Sequence, residues 1–416
     1  MTQIIIGGGA AGVFAAIRCK ELDPDSEVIL LEKTNQLLSK VRISGGGRCN
    51  VTHACFEPNK LVLNYPRGAK ELNGPFHSFQ PKDIVSWFEA RGVILKTESD
   101  GRMFPVTDSS ETIIECLLQA ADRAGVSIRK QQRVESIQKT DKGFLVQTQG
   151  DPIAADHVLI ATGSSSWGHD LAKQFGHTIV DPVPSLFTFN VPTSPLLDLS
   201  GISVPHVLLE LKGTSLRQQG PLLLTHWGFS GPAALKLSAW AARELHDLDY
   251  KATLLINWTA SQNQELLYQS LLQRKGAHPL QPLPPLLPSN LFARLLAALN
   301  IHPSTPLNKL SHQTLFQLAA KLHSDAYAIE GKTTYKQEFV TAGGVHLKEI
   351  AFKTMESRIV PGLFFAGEIL NIDGVTGGFN FQNAWTSGWL AGTEMSRRKS
   401  RASDQLLGTS AECVPD

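Results

Sequence analysis

The chain has 416 residues, 42% of them hydrophobic and 19% charged, with a formal net charge of +1 at pH 7. This supplies core for two or three domains and excludes a disordered polar chain or a protein drawn to nucleic acid or anionic membrane by bulk charge. Five cysteines (Cys19, Cys49, Cys55, Cys116, Cys413), odd in number and irregularly spaced, read as reduced cytosolic thiols rather than a disulfide framework.

The first predicted elements are the most informative. Ile4-Ile5-Ile6 runs into Gly7-Gly8-Gly9-Ala10-Ala11-Gly12, and a second strand, Val28-Ile29-Leu30-Leu31, ends on Glu32. Strand, Gly-x-Gly-x-x-Gly, helix, strand and acid together form a dinucleotide fingerprint. Gly7 allows the tight turn, Gly9 lets a pyrophosphate approach the backbone, and Gly12 lets the helix pack on the sheet. The helix N-terminus offers free N–H groups to phosphate. Glu32, followed by Lys33, stands 20 residues past Gly12, where a carboxylate holds ribose hydroxyls. A strand beginning at residue 4 leaves no room for a signal peptide, and no apolar run approaches membrane-helix length, so a soluble cytoplasmic protein is expected.

Next comes Lys40-Val41-Arg42-Ile43-Ser44-Gly45-Gly46-Gly47-Arg48-Cys49-Asn50. Three glycines in a row suit close backbone approach to a large flat ligand, and Lys40, Arg42 and Arg48 add positive charge. Cys49 and Cys55 are spaced C-x5-C, where flavin disulfide reductases use C-x4-C; one extra residue turns a helix by about 100°. Cys49 therefore reads more readily as a lone acid or a packing residue than as half of a redox pair.

Pro81 to Arg91 has helical periodicity, and Ser109 stands before a helix predicted over 110–124. Strands are expected at Ser127–Arg129, at Arg133–Gln138 (with Val134 near the cofactor), at Phe144–Thr148 and at His157–Ala161. The last of these ends on Ala161-Thr162-Gly163. From about residue 190 the pattern becomes antiparallel, with strands at 186–191, 204–211 and 253–258. Thr225-His226-Trp227-Gly228-Phe229-Ser230-Gly231-Pro232 forms a loop that can present His226, before a helix from Ala233 to Leu245. Residues 261–330 read as mostly helical, interrupted by five prolines between 279 and 288; Ser289-Asn290 can cap a helix from Leu291 to Leu299. Between 251 and 330, six Lys/Arg stand against three Asp/Glu, a slight basic bias.

Nucleotide-binding texture then returns. A buried strand ends on Ala366-Gly367-Glu368, and Gly374-Val375-Thr376-Gly377-Gly378-Phe379-Asn380 opens a helix reaching about Arg397. Ligands in open α/β sheets lie beyond the carboxyl ends of the strands. Three glycine-marked ends along one crevice fit the length of FAD better than NAD, with the ADP half near Gly7 and the reacting half between Arg48-Cys49-Asn50 and Gly377-Gly378. No second Gly-x-Gly-x-x-Gly follows a strand, so a nicotinamide reductant, if used, visits transiently. No metal-ligand spacing, P-loop or Gly-x-Ser-x-Gly elbow is present.

The expected fold is α/β. It has a discontinuous Rossmann-type FAD-binding domain (1–190 and 335–400) and an insert (191–334) made of a β-barrel over about 191–260 and a helical part over about 261–330. A flexible tail is expected over 401–416. The expected cofactor contacts are Gly7, Gly9, Ala11, Gly12, Glu32, Lys33, Lys40, Ser44, Gly45, Gly46, Gly47, Arg48, Cys49, Asn50, Val134, Ala161, Thr162, Gly163, Gly367, Glu368, Gly377, Gly378, Phe379 and Asn380.

These motifs, with the run from Leu224 to Pro232 and that from Gly367 to Asn380, resemble the BaiN/YhiN-like (aminoacetone oxidase-like) family of NAD(P)/FAD-dependent oxidoreductases. The resemblance spans nearly the whole chain. It implies FAD, a barrel-plus-helix insert and hydride transfer through flavin N5, with NAD(P)H as reductant. Substrates in the group include uridine in large-subunit ribosomal RNA, unsaturated steroid acids and amino-ketones. In uridine reduction, hydride goes to C6 and an acid protonates C5; Cys49, Arg48 and His226 are the catalytic candidates, with a proton donor working best at a pKa near ambient pH. The chain departs from the family after Gly163, where Ser164 to Asp170 replaces a glycine-rich extension, and at Asn371, where Asp is commoner. The alternatives are a thiol–disulfide flavoenzyme using Cys49 and Cys55, and a non-catalytic FAD-binding regulatory protein.

Overall fold

The computed structural model describes residues 1–260, 263–274, 287–334 and 340–408. The chain forms two compact units, Met1–Pro182 with Val340–Asp416, and Val183–Phe339.

The first unit is organised by a seven-stranded sheet. The middle one of its five parallel strands is β1 (Thr2–Ile6), flanked by β2 (Glu27–Leu31) and by His157–Ile160. Leu363–Phe365 lies beyond His157–Ile160, and Ser127–Arg129 lies beyond β2; all five strands are parallel. Two short strands, Ile350–Ala351 and Glu356–Ser357, continue one edge in antiparallel pairing. Ile4, Ile5 and Ile6 are buried, as continuous apolar runs in parallel sheets are, because helices cover both faces.

Helix α1 (Ala10–Leu22) follows the first turn, and the closing helix Phe379–Gly408 packs along it. Their approach is close because glycines stand at the crossing. A Cβ at Gly388 would lie 2.6 Å from the Ala11 carbonyl oxygen, and one at Gly392 would overlap that of Ala15. Phe14 of α1 packs edge-on against Trp385, and Arg18 lies over the Trp389 ring. The closing helix reaches Gly408, beyond residue 401 where a tail was expected to begin; 409–416 lie outside the described residues.

Two small antiparallel sheets complete the unit. Thr52–His53, Arg102–Pro105 and Leu95–Thr97 form one; Val134–Thr140, Gly143–Thr148 and Ile153–Ala155 form the other. The predicted helices appear at Pro81–Glu89 and Ser110–Ala124, the second capped by the Ser109 hydroxyl, which accepts from the Glu111 N–H.

The second unit is built on an antiparallel sheet of seven strands. Asp325–Glu330, Lys251–Asn257, Ser203–Leu211, Arg217–Leu224, Gly228–Ser230, Thr188–Asn190 and Lys332–Thr333 follow one another across it. The first and last of these are separated only by Gly331, at φ +114°. One bent segment therefore serves both ends of the sheet and draws it round on itself, as a barrel requires. Its core includes Phe189, Leu209, Leu222, Phe229, Leu254 and Trp258.

Three local expectations change here. Asp325–Glu330 is a strand, not helix; its alternation of buried and exposed residues has period two. The helix after Pro232 breaks at Ala241 into Pro232–Trp240 and Ala242–Asp247. Ser289 and Asn290 form the first turn of the helix Ser289–Ala297, with Pro288 in the capping position. The proline run at 279–288 lies, as far as residue 286, outside the described residues.

Asp325 anchors the second unit's polar core. Its carboxylate accepts from Trp258 Nε1 (3.0 Å), Tyr327 OH (2.6 Å) and Lys321 Nζ (2.7 Å). Burial, then the Asp325 charge, push the Tyr327 hydroxyl far above its usual range. Removing the acceptor strands two buried donors, so Asp325→Ala is expected to destabilise the protein by about 3 kcal/mol in urea unfolding. A loss below about 1 kcal/mol would show that the network carries no such weight.

Candidate functional site

The end of β1 builds the first part of the site. Gly7 sits at φ +112°, and its N–H donates to the Leu31 carbonyl (2.9 Å). A Cβ there would overlap the Ala161 carbonyl oxygen, and one at Gly12 would overlap that of Gly7. Those two glycines are demanded by the fold. Gly9 is different. Its φ of −85° suits any residue, and an added Cβ would meet no atom within 4 Å. It stands at the N-cap of α1 with no side-chain cap, so the helix's first N–H groups face open space. Ala11 is buried beside them, against the closing helix.

Glu32 is fixed by the backbone around it. One carboxylate oxygen accepts from the Gly8 N–H (2.9 Å), and the other accepts from the Thr34 N–H and hydroxyl (both 2.8 Å). Lys33 is exposed. Val134 is buried at the start of its strand; just before it, the Gln132 N–H donates to the Glu32 carbonyl (2.9 Å).

The neighbouring strand ends supply a second part. The Ala161 N–H donates to the Ile6 carbonyl (2.9 Å), and the Ala366 N–H to that of Ile160 (3.3 Å), which sets the three turns side by side. Gly163 (φ +63°) and Gly367 (φ +77°) turn the chain there. A Cβ on Gly163 would be 3.7 Å from Glu368 Oε2. That oxygen is ion-paired with Lys40, and Oε1 accepts from the Thr341 N–H (3.1 Å). Lys40 and Glu368, 328 positions apart, thus meet. Thr162 Oγ1, Thr341 Oγ1 and Asn371 Oδ1 are buried polar atoms with no hydrogen-bond partner, as is Nε2 of His169 in the Ser164–Asp170 segment. Burial, aided by the nearby Lys173 charge and only partly opposed by Asp170, holds the His169 imidazole below its usual range.

The third part joins the glycine loop to the closing helix. Ser39–Gly47 is a helix kinked at Ser44, whose ψ of 149° is extended, and Gly45 and Gly46 take positive φ. Around Gly46 and Gly47 added side chains would meet nothing. The Asn50 side-chain amide, oriented to satisfy both neighbours, donates to the Thr52 carbonyl and accepts from the Gly378 N–H, each at 3.0 Å. Gly377 and Gly378 have positive φ, and a Cβ on Gly378 would press 2.6 Å from the Thr52 carbonyl oxygen. The Asn380 amide bonds the Gly374 N–H and carbonyl, both at 2.8 Å. Phe379 opens the helix, stacked on His53 at 4.7 Å, and its carbonyl accepts from the buried Tyr65 hydroxyl (2.6 Å).

The three catalytic candidates fare differently. Cys49 is fully buried, and desolvation pushes its thiol up to about 12 despite a hydrogen bond with Ser44. Such a group keeps its proton at neutral pH and suits packing better than proton donation. It adopts φ +61°, and its N–H donates to the Ser44 carbonyl (3.0 Å), closing the glycine turn. Arg48 is committed to structure. It bonds Glu98 (2.7 Å) and Asp108 (3.4 Å) and stacks on Phe104 at 4.0 Å. His226 belongs to the second unit, exposed on a turn. Cys49 and Cys55 are both free thiols.

Several neighbours carried no sequence signal. His53, Tyr65 and Thr341 stand in unremarkable local sequence, and the half-buried Arg67–Asp373 ion pair joins positions 306 apart. Only contact across the fold reveals them. No helix among the described residues is long and apolar enough to cross a membrane.

A parallel sheet with a glycine cradle at its first turn, and adjacent strand ends closed by glycine and acid, defines the class: an FAD-binding oxidoreductase fold of Rossmann type, interrupted by a second unit. The chain belongs to the HI0933-like protein Rossmann domain family, whose profile matches residues 1–394. It is 31% identical over 413 residues to a ribosomal RNA dihydrouridine synthase from Escherichia coli strain K12, covering 95% of this chain and 98% of that one. It is 28% identical over 407 residues to a 3-dehydro-bile acid delta(4,6)-reductase from Clostridium scindens, with 95% and 98% covered. Among solved structures, a 3-ketosteroid-delta4-(5alpha)-dehydrogenase from Rhodococcus jostii RHA1 shares the fold, with TM-score 0.53, 16% identity, and 95% and 96% of the two chains covered.

The burial of Cys49 has a direct chemical consequence. With its thiol near 12, only about one molecule in ten thousand is thiolate at pH 8. Iodoacetamide at that pH is expected to label the half-buried Cys55 in the native protein and to reach Cys49 only after denaturation. Peptide mapping that finds both labelled at one rate would contradict this placement.

Proposed function

We propose that this protein is an FAD-dependent oxidoreductase that reduces a carbon–carbon double bond, with a uridine of large-subunit ribosomal RNA as substrate and NAD(P)H as a transient reductant. The observation that carries the cofactor assignment is Gly9. Neither backbone strain nor a neighbouring atom requires glycine there; what it preserves is empty space before an uncapped helix N-terminus. A diphosphate is the group such a space and such N–H donors suit.

The remaining residues fit FAD along its length. Gly7, Gly9, Ala11 and Gly12 form the diphosphate cradle. Glu32, steadied by Gly8 and Thr34, takes ribose hydroxyls, and Lys33 and Val134 flank the adenine end. Ala161, Thr162, Gly163, Gly367 and Glu368 take the middle, where the unpartnered buried oxygens of Thr162 and Thr341 call for hydroxyl partners. Lys40, Ser44 to Asn50 and Gly377 to Asn380 take the reacting end. Bound FAD supplies hydride transfer through flavin N5. The N-terminus of the closing helix supplies positive potential at that end. Arg48 and Cys49 hold the glycine loop in shape, and the proton donor is sought elsewhere.

The ribosomal RNA reading rests on the relative of that name at 31% identity, matched almost end to end. A small conjugated acid is the second reading, favoured by the bile acid reductase at 28%. The purified protein is expected to be yellow, and Gly9→Val to lower its FAD affinity by roughly tenfold or more while the fold is kept. Anaerobic mixing with NADH or NADPH is expected to bleach the flavin, and unmodified ribosomal RNA fragments to restore the colour. A protein that binds no FAD sinks the whole reading; reoxidation by an unsaturated steroid acid but not by RNA moves it to the second substrate.

A further inference from the structure

Residues 64–68 lead from the turn Val62–Asn64 to the helix Ala69–Ser78, within the first unit. Four of them are tied to the stretch from Ile372 to Phe379, which contains the last glycine turn. The Val375 N–H donates to the Asn64 carbonyl (2.9 Å). Arg67 Nε donates to Oδ1 of the fully buried Asp373 (2.5 Å), and a second guanidinium nitrogen donates to Oδ2. Gly68, at φ +86°, packs so closely that a Cβ would lie 2.6 Å from Ile372 Cγ1. The Tyr65 hydroxyl donates to the Phe379 carbonyl (2.6 Å), and a Cβ on Gly374 would lie 3.2 Å from the Tyr65 ring.

Of these ties, the one from Tyr65 reaches the closing helix itself. Tyr65 is fully buried, with its ring edge-on to Phe379 at 6.1 Å and 5.5 Å from that of Phe76. Burial, then the nearby Cys55, push its phenol well above the usual range, so the hydroxyl keeps its proton and remains a donor. The carbonyl it meets belongs to the peptide unit that carries the Asn380 N–H. The Gln382 N–H donates to the Gly378 carbonyl (3.0 Å), which makes Gly378 the N-cap. The Asn380 N–H therefore lies ahead of the first intrahelical donor and has no acceptor within the helix. The Asn380 side chain is engaged with Gly374 and does not cap it. A hydrogen bond to a carbonyl polarises its peptide and makes the N–H at the other end a stronger donor.

We propose that Tyr65 is a positioning residue for the reacting end of the flavin, holding and polarising the first peptide of the closing helix. This rests on the FAD reading, which lays that end along Gly377 to Asn380. Reduced flavin carries negative charge that the oxidised ring lacks, so a stronger donor there favours the reduced form. Tyr65 acts through the Phe379–Asn380 peptide and takes no part in hydride or proton transfer.

The test uses the full chain, loaded with FAD, as wild type, Tyr65→Phe and Tyr65→3-fluorotyrosine. The midpoint potential of the bound flavin and the Kd of oxidised FAD are measured for each. Phenylalanine keeps the ring and removes one donor; fluorine makes the hydroxyl a stronger donor. Tyr65→Phe is expected to hold oxidised FAD within about twofold of wild type and to favour the reduced form roughly three- to tenfold less. In a two-electron couple this lowers the potential by up to about 30 mV. The fluorotyrosine protein is expected to shift in the opposite direction. Should Tyr65→Phe fail to fold, the sign of the fluorotyrosine shift decides. Unchanged potentials, or equal weakening of both oxidation states in Tyr65→Phe, overturn the role of Tyr65 and leave the FAD reading standing. A wild type that binds no FAD overturns both.

Discussion

Helix α1 is held at backbone distance on two sides, and the first unit depends on it. On one side, Gly12 lets the helix sit on the turn that leaves β1, where any Cβ would strike the Gly7 carbonyl. On the other, Gly388 and Gly392 let the closing helix rest on the carbonyls of Ala11 and Ala15. Dispersion falls steeply with separation, so removing side chains at these crossings converts a loose layer into a packed one. The same packing determines where helix ends fall. With α1 pinned, its uncapped N-terminus faces the space kept open by Gly9. With the closing helix pinned to α1, Phe379 comes beside Thr52 and His53.

Charge at the candidate site follows from what each group is bonded to. Glu32 spends its lone pairs on the backbone amides that shape the turn, which orients the carboxylate. Glu368 is shared between Lys40 and the Thr341 amide. Arg48, a cation with an obvious claim to catalysis in the sequence, is partnered by Glu98 and Asp108 over Phe104. Cys49 is closed off from water, which raises its thiol rather than activating it. The positive potential on offer therefore comes from helix N-termini more than from Arg48 or Lys40, each of which is already paired with carboxylate.

The fold was readable where a residue's demand is local. A run of isoleucines buried on both faces signals a parallel strand, and glycine at a fixed offset signals a turn that no other residue makes. The bend at Gly331 was not readable, because a strand serving both ends of a sheet is defined by its partners. In the sequence Asp325–Glu330 reads with the helices before it, because its six residues of alternation follow directly on helical periodicity at 312–323. The glycines at 388 and 392 stood in a helix already expected, yet nothing local says which carbonyls they meet.

By itself the sequence determined the family, the α/β class, the cradle at Gly7, Gly9 and Gly12, and the acid at Glu32, because each is a requirement on one short segment. The tertiary structure decided which distant residues share a site: Lys40 with Glu368, Asn50 with Gly378, His53 with Phe379. It also decided the states of Arg48 and Cys49. Partnering and burial are properties of the surrounding fold; the same arginine or thiol in an open loop would be a free cation or a reactive sulfur.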